Sequence, residues 1–223
     1  MSNTDATKYG RLTALLVAAW LAFSFTASKL LIFHAGSRNA IVPQPLPLGL
    51  AVVVPIFSFC LWFAVSRGFR QFALSLNPVA LTIVQTWRIG GITFVVLAGF
   101  HLLPAVFALP AGLGDFAIGV TAPLVAFYLV QGRRKNSFIL WNTLGVIDLV
   151  NAVTLGVLAS STAGILRPAV STDAMTVLPL SLIPTFAVPL LLILHVISIA
   201  QALRWQTRTA NSLHEPAAQA PAA

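Results

Sequence analysis

Charged residues are scarce in this chain. Only 8% of its 223 residues are Asp, Glu, Lys or Arg, whereas about a quarter of an ordinary soluble domain is charged. Hydrophobic residues make up 58% of the chain, and its mean hydropathy is +0.91. A soluble fold of this size could not bury so much apolar surface. The composition therefore predicts a membrane protein that has the lipid bilayer as its solvent and partner.

Acids and cysteine are rarer still. Five acidic residues stand against 13 Lys and Arg, which gives a net charge of +8. Most of the basic residues fall between apolar segments, where the flanking charge of membrane spans accounts for them. There is no basic helix and no basic–aromatic stripe, so we expect no nucleic-acid partner. The single cysteine, Cys60, excludes an internal disulfide, and no Cys/His spacing typical of a zinc site occurs.

The motifs of common enzyme classes are also missing. The glycines near Gly112 are not followed by the Gly-Lys-Ser/Thr of a phosphate loop, and there is no nucleophile elbow. A haem needs axial ligands at one depth. His34 and His101 both fall near one predicted face, but His34 lies outside its helix. We therefore expect no cofactor. An intramembrane enzyme or haem protein is the third functional hypothesis, after the transporter and the scaffold described below.

Six apolar segments are long enough to span a bilayer, which takes about 20 residues. They are continuous rather than alternating, which favours helices over a β-barrel. The predicted fold class is all-α, a polytopic bundle of six transmembrane helices in one domain, residues 1–206. Residues 207–223 are predicted to be a disordered tail, because their composition cannot bury a face. The predicted spans are Leu12–Phe33, Leu48–Val65, Val79–Leu103, Ala111–Val130, Phe138–Leu158 and Val177–Leu203.

The first segment could instead be a signal peptide. It has basic residues at its start, then an apolar core, then small residues around Ala27. Two features oppose cleavage. The apolar run continues to Phe33, and the bulky Phe25 would occupy a position where a small residue is wanted. An uncleaved helix is favoured.

The distribution of Lys and Arg predicts the orientation. With a cytoplasmic N-terminus, nine basic residues lie inside, three lie outside, and Arg88 lies within the membrane. Six helices then place both termini in the cytoplasm, and the predicted location is the inner (plasma) membrane. The inside set is Lys8, Arg11, Arg67, Arg70, Arg133, Arg134, Lys135, Arg204 and Arg208; the outside set is Lys29, Arg38 and Arg167.

Two connections carry specific expectations. Ser66–Pro78 is predicted to contain a short interfacial helix, with Phe69 and Phe72 towards lipid and Arg67 and Arg70 towards headgroups. Pro104–Gly114, rich in glycine and proline, is predicted to be a loop that packs against other helices and allows a sharp reversal or a re-entrant path.

Two runs of sequence suggest a relationship. LPAVFALPAGLGD at Leu103–Asp115 and WNTLGVIDLVNAV at Trp141–Val153 resemble a family of small uncharacterised bacterial multi-pass membrane proteins. The resemblance covers about Gln85 to Gly156. It implies no activity and no functional residues.

Three ionisable residues fall at similar depth within the predicted spans. By a rise of about 1.5 Å per residue, Arg88 lies about 13 Å, Asp148 about 15 Å and His195 about 12 Å from the predicted inner ends. Charged groups at this depth are costly and usually face a partner or a cavity. We therefore predict that Arg88 contacts Asp148. The full predicted polar cluster is Arg88, Asp148, His195, Gln85, Asn142 and Asn151.

Two interpretations of this cluster remain open. In the first it is a binding site for a small-molecule or proton substrate, because aspartate and histidine exchange protons when burial tunes them. In the second, Arg88 and Asp148 neutralise each other and only pin two helices together. For His195 alone, a packing residue with a hydrogen bond is the favoured interpretation.

A second predicted group, His101 and Asp115, lies near the outer face. The functional interpretation is an outer vestibule floored by the Pro104–Gly114 loop. The alternative, which is favoured, is that Asp115 complements the positive end of the fourth helix. The leading functional hypothesis is a small transporter or permease with a midplane polar site. The main alternative is a membrane scaffold or accessory subunit whose polar residues lock helices together.

Overall fold

Seven helices make up the computed structural model, which describes residues 3–34, 46–162 and 165–205. No strand occurs in these ranges. Every helix except α3 is long and apolar enough to cross a membrane, which confirms the all-helical, six-span expectation by length and composition. The predicted tail, residues 207–223, lies outside the described residues. The helices are α1 (Asn3–Lys29), α2 (Leu46–Val65), α3 (Arg67–Ser75), α4 (Pro78–Gly99), α5 (Ala105–Val130), α6 (Lys135–Leu158) and α7 (Ile183–Leu203).

The outside of the bundle is apolar. Large hydrophobic side chains such as Phe57, Phe127 and Leu144 are at least half exposed. Soluble monomers rarely show apolar patches of this extent. The exposed surface therefore suits a lipid environment rather than water.

The two ends of the bundle differ in charge. Lys135 Nζ donates to Leu203 O at 3.2 Å, and Gln201 Nε2 donates to Leu76 O at 2.8 Å. These bonds bring the start of α6, the end of α7 and the residues after α3 to one end, which also carries Arg67 and Arg134. We call it the basic end. The opposite end, which we call the loop end, carries the α4–α5 turn and the segment between α6 and α7.

The short helix α3 lies against protein, so its predicted orientation is wrong. The Phe69 ring is stacked on Trp62, with centroids 3.8 Å apart, and Phe72 is stacked on Tyr9 at 6.2 Å. Phe69 is buried and Arg67 is exposed. Aromatic rings at the basic ends of α1 and α2 therefore cover the apolar face of α3, which we had expected to face lipid.

The fourth spanning helix begins earlier than predicted. Pro104 has the extended backbone of an N-cap, and its carbonyl accepts from the backbone N–H of Ala108 at 2.9 Å. Pro110 lies inside the helix, where spanning helices tolerate proline because neighbouring groups re-satisfy the backbone. The predicted loop Pro104–Gly114 is therefore helical, and Ala111 and Gly112 are buried within the bundle. Asp115 lies ten residues into this helix, so it cannot complement the N-terminus.

The α4–α5 turn is correspondingly short. His101 adopts a positive φ of 56°, and Leu102 N donates to Leu97 O at 2.9 Å. This pair of features is typical of a Schellman helix end. Only the residues from Phe100 to Pro104 connect the two helices. Leu103 packs into the core, but five residues are too few to form a re-entrant segment.

The middle of α4 is wound more tightly than its ends. Gln85–Gly91 forms a 3₁₀ stretch between the α-helical segments Pro78–Val84 and Ile92–Gly99. Mid-helix 3₁₀ turns often mark functional or strained positions. Arg88 lies at the centre of this stretch, and the stretch packs on α5.

Candidate functional site

Arg88 is the centre of the polar cluster. Its side chain is almost fully buried, with 2% of the residue exposed. Nε donates to Asp115 Oδ1 at 2.7 Å, and Nη2 donates to Asp148 Oδ2. The Asp148 contact is the one that the depth comparison predicts. The Asp115 contact links Arg88 to a third helix, α5. The sequence analysis had placed Asp115 near the outer face instead.

The third guanidinium nitrogen continues the network into α7. Arg88 Nη1 lies 3.0 Å from His195 Nε2 and 3.4 Å from the carbonyl oxygen of Gly145. His195 Nδ1 lies 2.8 Å from Asn142 Oδ1, and Asn142 Nδ2 donates to Phe138 O at 2.8 Å. Arginine can only donate, so Nε2 accepts and the proton of a neutral imidazole sits on Nδ1. Every bond in this chain then has one donor and one acceptor.

The cluster lies at mid-depth and draws on four helices. By a rise of about 1.5 Å per residue, Arg88 lies about 15 Å from the basic end of α4. On the same rise, Asp115 and Asp148 each lie about 15 Å from the loop ends of α5 and α6. His195, from α7, lies about 12 Å from the basic end. The four side chains therefore meet near the middle of the apolar bundle.

The charges in this cluster do not balance when both carboxylates are ionised. One guanidinium faces two carboxylates, and His195 is neutral in the hydrogen-bond arrangement just derived. The Asp115 and Asp148 side chains are 15% and 14% exposed. An uncompensated charge in an apolar bundle is expensive. A second positive group, a proton or a cation, would make the cluster neutral.

Glycines allow the charged side chains to sit this close to neighbouring helices. A Cβ added at Gly114 would overlap the Asp148 carboxylate, and one at Gly91 would overlap Asp115. A Cβ at Gly145 would overlap the His195 ring. Small residues let the helices approach closely. Here they also leave the space that the side chains of the cluster occupy.

An apolar cavity reaches the cluster from the loop end. Its volume is about 150 Å³, and α2, α4, α5, α6, α7 and the α6–α7 segment all line it. Its lining includes Asp115, from the middle of α5, and Thr162 and Asp173, from the α6–α7 segment at the loop end. Thr162 is exposed. The residues that line the cavity therefore extend from the exposed α6–α7 segment to one carboxylate of the cluster.

The other predicted residues are placed as follows. Gln85 is buried one turn from Arg88, towards the basic end of α4. Its Nε2 donates to Leu191 O at 3.5 Å, which links α4 to α7. Asn151 is exposed and stands outside the cluster. His101 is exposed at the helix end, and 13 residues separate it from Arg88, which is about 20 Å of helix rise. His101 and Asp115 therefore do not form a common vestibule, because Asp115 belongs to the cluster.

Sequence reasoning misplaced one contributor and missed another. Asp115 was predicted near the outer face, and the correct start of α5 would have placed it at the depth of Arg88. Trp141 packs its ring against His195, with centroids 5.7 Å apart, and its Nε1 donates to Thr121 Oγ1 at 2.9 Å. Its position near a predicted inner interface gave no signal of this contact. Across the described part of the chain, no group of three or more His, Cys, Asp or Glu side chains is placed to hold a metal ion.

Comparison with known proteins adds a family but no activity. No curated protein and no solved structure matches the chain. The profile of a domain of unknown function, DUF8737, matches residues 45–203, which include α2 to α7 and every residue of the polar cluster. The matched region is well over half of the chain, so this protein belongs to the DUF8737 family, a family of unknown function.

Proposed function

We propose that this protein is a small transporter of the bacterial inner membrane with a midplane polar site. One observation carries the proposal: a guanidinium shared by two carboxylates, at mid-depth, with one carboxylate lining a cavity that reaches the surface. Intramembrane ionisable residues commonly mark substrate or proton pathways. Since the cluster has one carboxylate more than it has guanidinium groups, binding of a further positive group would neutralise it.

The charge balance suggests how such a site works. When a proton occupies a carboxylate, the cluster is neutral without a ligand. When a cation enters along the cavity, the same neutrality is reached if that proton leaves. One cation therefore replaces one proton, and either of them alone makes the cluster neutral. Exchange of this kind is the simplest form of coupling that one guanidinium and two carboxylates support.

The proposed orientation places the basic end in the cytoplasm. The described basic residues at that end include Arg67, Arg134 and Arg204, whereas Lys29 and Arg167 belong to the other. Cytoplasmic loops carry the excess of Lys and Arg in membrane proteins. Both ends of this chain would then be cytoplasmic, and the cavity would open to the outside.

Thiol accessibility tests the site and its orientation together. Cys60 is exposed, so it is first replaced by serine. Val153→Cys then places a thiol in the cavity wall. We expect a membrane-impermeant methanethiosulfonate to modify it from the outer face of intact vesicles. A trimethylammonium reagent should react faster than a sulfonate reagent, and Asp115→Asn should reduce that preference.

Asn151→Cys is the matched control, because Asn151 is exposed on the same helix but does not line the cavity. It should stay unmodified in vesicles, where lipid covers it. If Val153→Cys is equally unreactive, the cluster is sealed and the transporter proposal loses its access path. Modification from the cytoplasmic face alone would reverse the proposed orientation.

The second candidate is a scaffold whose polar residues lock helices together. The observation that favours it is that every nitrogen of the Arg88 guanidinium has a protein partner. A purely structural ion pair between helices, however, needs only one carboxylate for one guanidinium. The second carboxylate favours the transporter, and an unreactive Val153→Cys would favour the scaffold.

A further inference from the structure

We propose that the cavity binds a small apolar amine, with its ammonium group at Asp115 and its hydrocarbon part against the walls. This inference deepens the proposed function by naming a substrate class. Its role in transport rests on that function, whereas binding itself does not. The juxtaposition that carries it is the Asp115 carboxylate of the cluster in the lining of a mostly apolar cavity.

The size of the cavity sets the size of the ligand. Its volume is about 150 Å³. An apolar protein cavity of about 150 Å³ takes up benzene. The site therefore fits a hydrocarbon group of about one six-membered ring or a short branched chain. Sugars and peptides are excluded, since they are larger and would leave hydroxyl or amide groups without partners against apolar walls.

The chemistry of the walls selects for positive charge. Apolar side chains such as Val52, Leu149 and Val188 form most of the surface, and the two ionisable groups that line it, Asp115 and Asp173, are acidic. No lysine or arginine from the described ranges lines the cavity. An organic anion would meet only like charge. A neutral solute would gain the apolar contacts but leave the excess charge of the cluster unchanged.

The Asp115 carboxylate offers a specific contact for an ammonium group. Arg88 donates to Oδ1 of Asp115, and a carboxylate has about four lone-pair sites over its two oxygens. An ammonium that donates to the remaining sites forms a charge-assisted hydrogen bond. It also brings the cluster to two positive and two negative charges.

Two aromatic rings strengthen the same preference. Phe94 and Phe107 both line the cavity, and their centroids lie 5.6 Å apart. The face of an aromatic ring attracts a desolvated cation, and its surface also packs against hydrocarbon. A ligand with an apolar ring and an ammonium group uses both properties.

Three compounds of nearly equal size test the assignment. They are benzylamine, benzyl alcohol and benzoate, titrated against the purified protein in zwitterionic lipid nanodiscs, with empty nanodiscs subtracted. We expect saturable binding of benzylamine, at least roughly tenfold weaker binding of the alcohol, as suits a lost charge-assisted bond, and none of benzoate. Isothermal titration calorimetry or a thermal shift in nanodiscs provides the measurement.

Two variants and one control separate charge from space. Asp115→Asn should bring benzylamine to the level of benzyl alcohol and leave the alcohol unchanged. Ala152→Leu, which adds bulk to the cavity wall, should weaken both compounds. Asn151→Ala, outside the cavity, should change neither. The midpoint of thermal unfolding of each variant shows that the bundle is intact.

The contrary results are distinct. Equal affinity for benzylamine and benzyl alcohol, or benzylamine binding that survives Asp115→Asn, overturns the amine assignment. Absence of saturable binding also overturns it. Binding without any protein-dependent flux would remove the transport role and keep the site. Flux of another solute class would keep the transporter and remove the amine.

Discussion

Replacing Arg88 with methionine is expected to lower the free energy of unfolding by about 3–5 kcal/mol, the cost of removing one partner from a buried ion pair. Arg88 is almost fully buried and bonds two carboxylates on two other helices. Its loss leaves both acids without their cation. Asp115→Asn or Asp148→Asn should each cost less, because one carboxylate and the guanidinium remain as a neutral pair.

Unfolding in mixed micelles with increasing denaturing detergent measures these differences. Adding Asp115→Asn and Asp148→Asn to Arg88→Met should recover more than half of the loss, because no buried charge then remains. Arg134→Met, at an exposed arginine, is the control and should change little. A triple variant as unstable as Arg88→Met would show that the ion pairs do not account for the effect.

The second large effect is expected at the contact between α4 and α5. A Cβ added at Gly119 would overlap the backbone of Ile89 and Arg88 in the 3₁₀ stretch. Backbone cannot move aside as a flexible side chain can. Gly119→Ala should therefore destabilise the bundle by about 1–3 kcal/mol, the usual range for overpacking. It should also weaken the contacts of Arg88, because the residue lies on the displaced segment.

Gly90→Ala and Gly99→Ala are matched controls for this prediction. Both positions belong to α4, and a Cβ at either meets nothing within 4 Å. Alanine favours helix over glycine by about 0.8–1.0 kcal/mol, so these variants should be neutral or slightly stabilising. If Gly119→Ala is as stable as they are, α4 and α5 do not approach as closely as the structure has them.

The number and type of the helices could be predicted from the sequence because lipid imposes length and apolarity on each span. The six spans therefore appear as long apolar runs. Helix starts were less certain, because proline and glycine near Pro104 and Pro110 indicate a loop in soluble proteins but are accommodated inside spanning helices. Because the predicted start of this helix was wrong, Asp115 was predicted at the surface of the bundle instead of in its middle.

The Arg88–Asp148 contact was predictable because both residues lie on helices whose predicted inner ends were nearly correct. The depth count then needs only the helical rise. The direction in which each side chain points around its helix axis could not be predicted from the depth count. Asn151 lies one turn from Asp148, yet it is exposed, because a spacing of three residues turns its side chain about 60° away from that of Asp148. The aromatic cover of α3 also depends on tertiary contacts that no local pattern records.

Proton movement coupled to a solute tests the central claim most directly. Purified protein is reconstituted into liposomes that contain the pH indicator pyranine. Tetramethylammonium, glucose or glutamate, which cross lipid poorly, is then added outside. We predict that only tetramethylammonium drives protons out of the vesicles, because its fixed positive charge can replace the proton in the cluster although it has no N–H group to donate to Asp115. Asn151→Ala should retain this response, whereas Asp115→Asn should reduce it to the level of empty liposomes. A response to glucose or glutamate would keep a transporter and change its substrate class, but equal traces from wild-type protein, Asp115→Asn and empty liposomes would contradict the account.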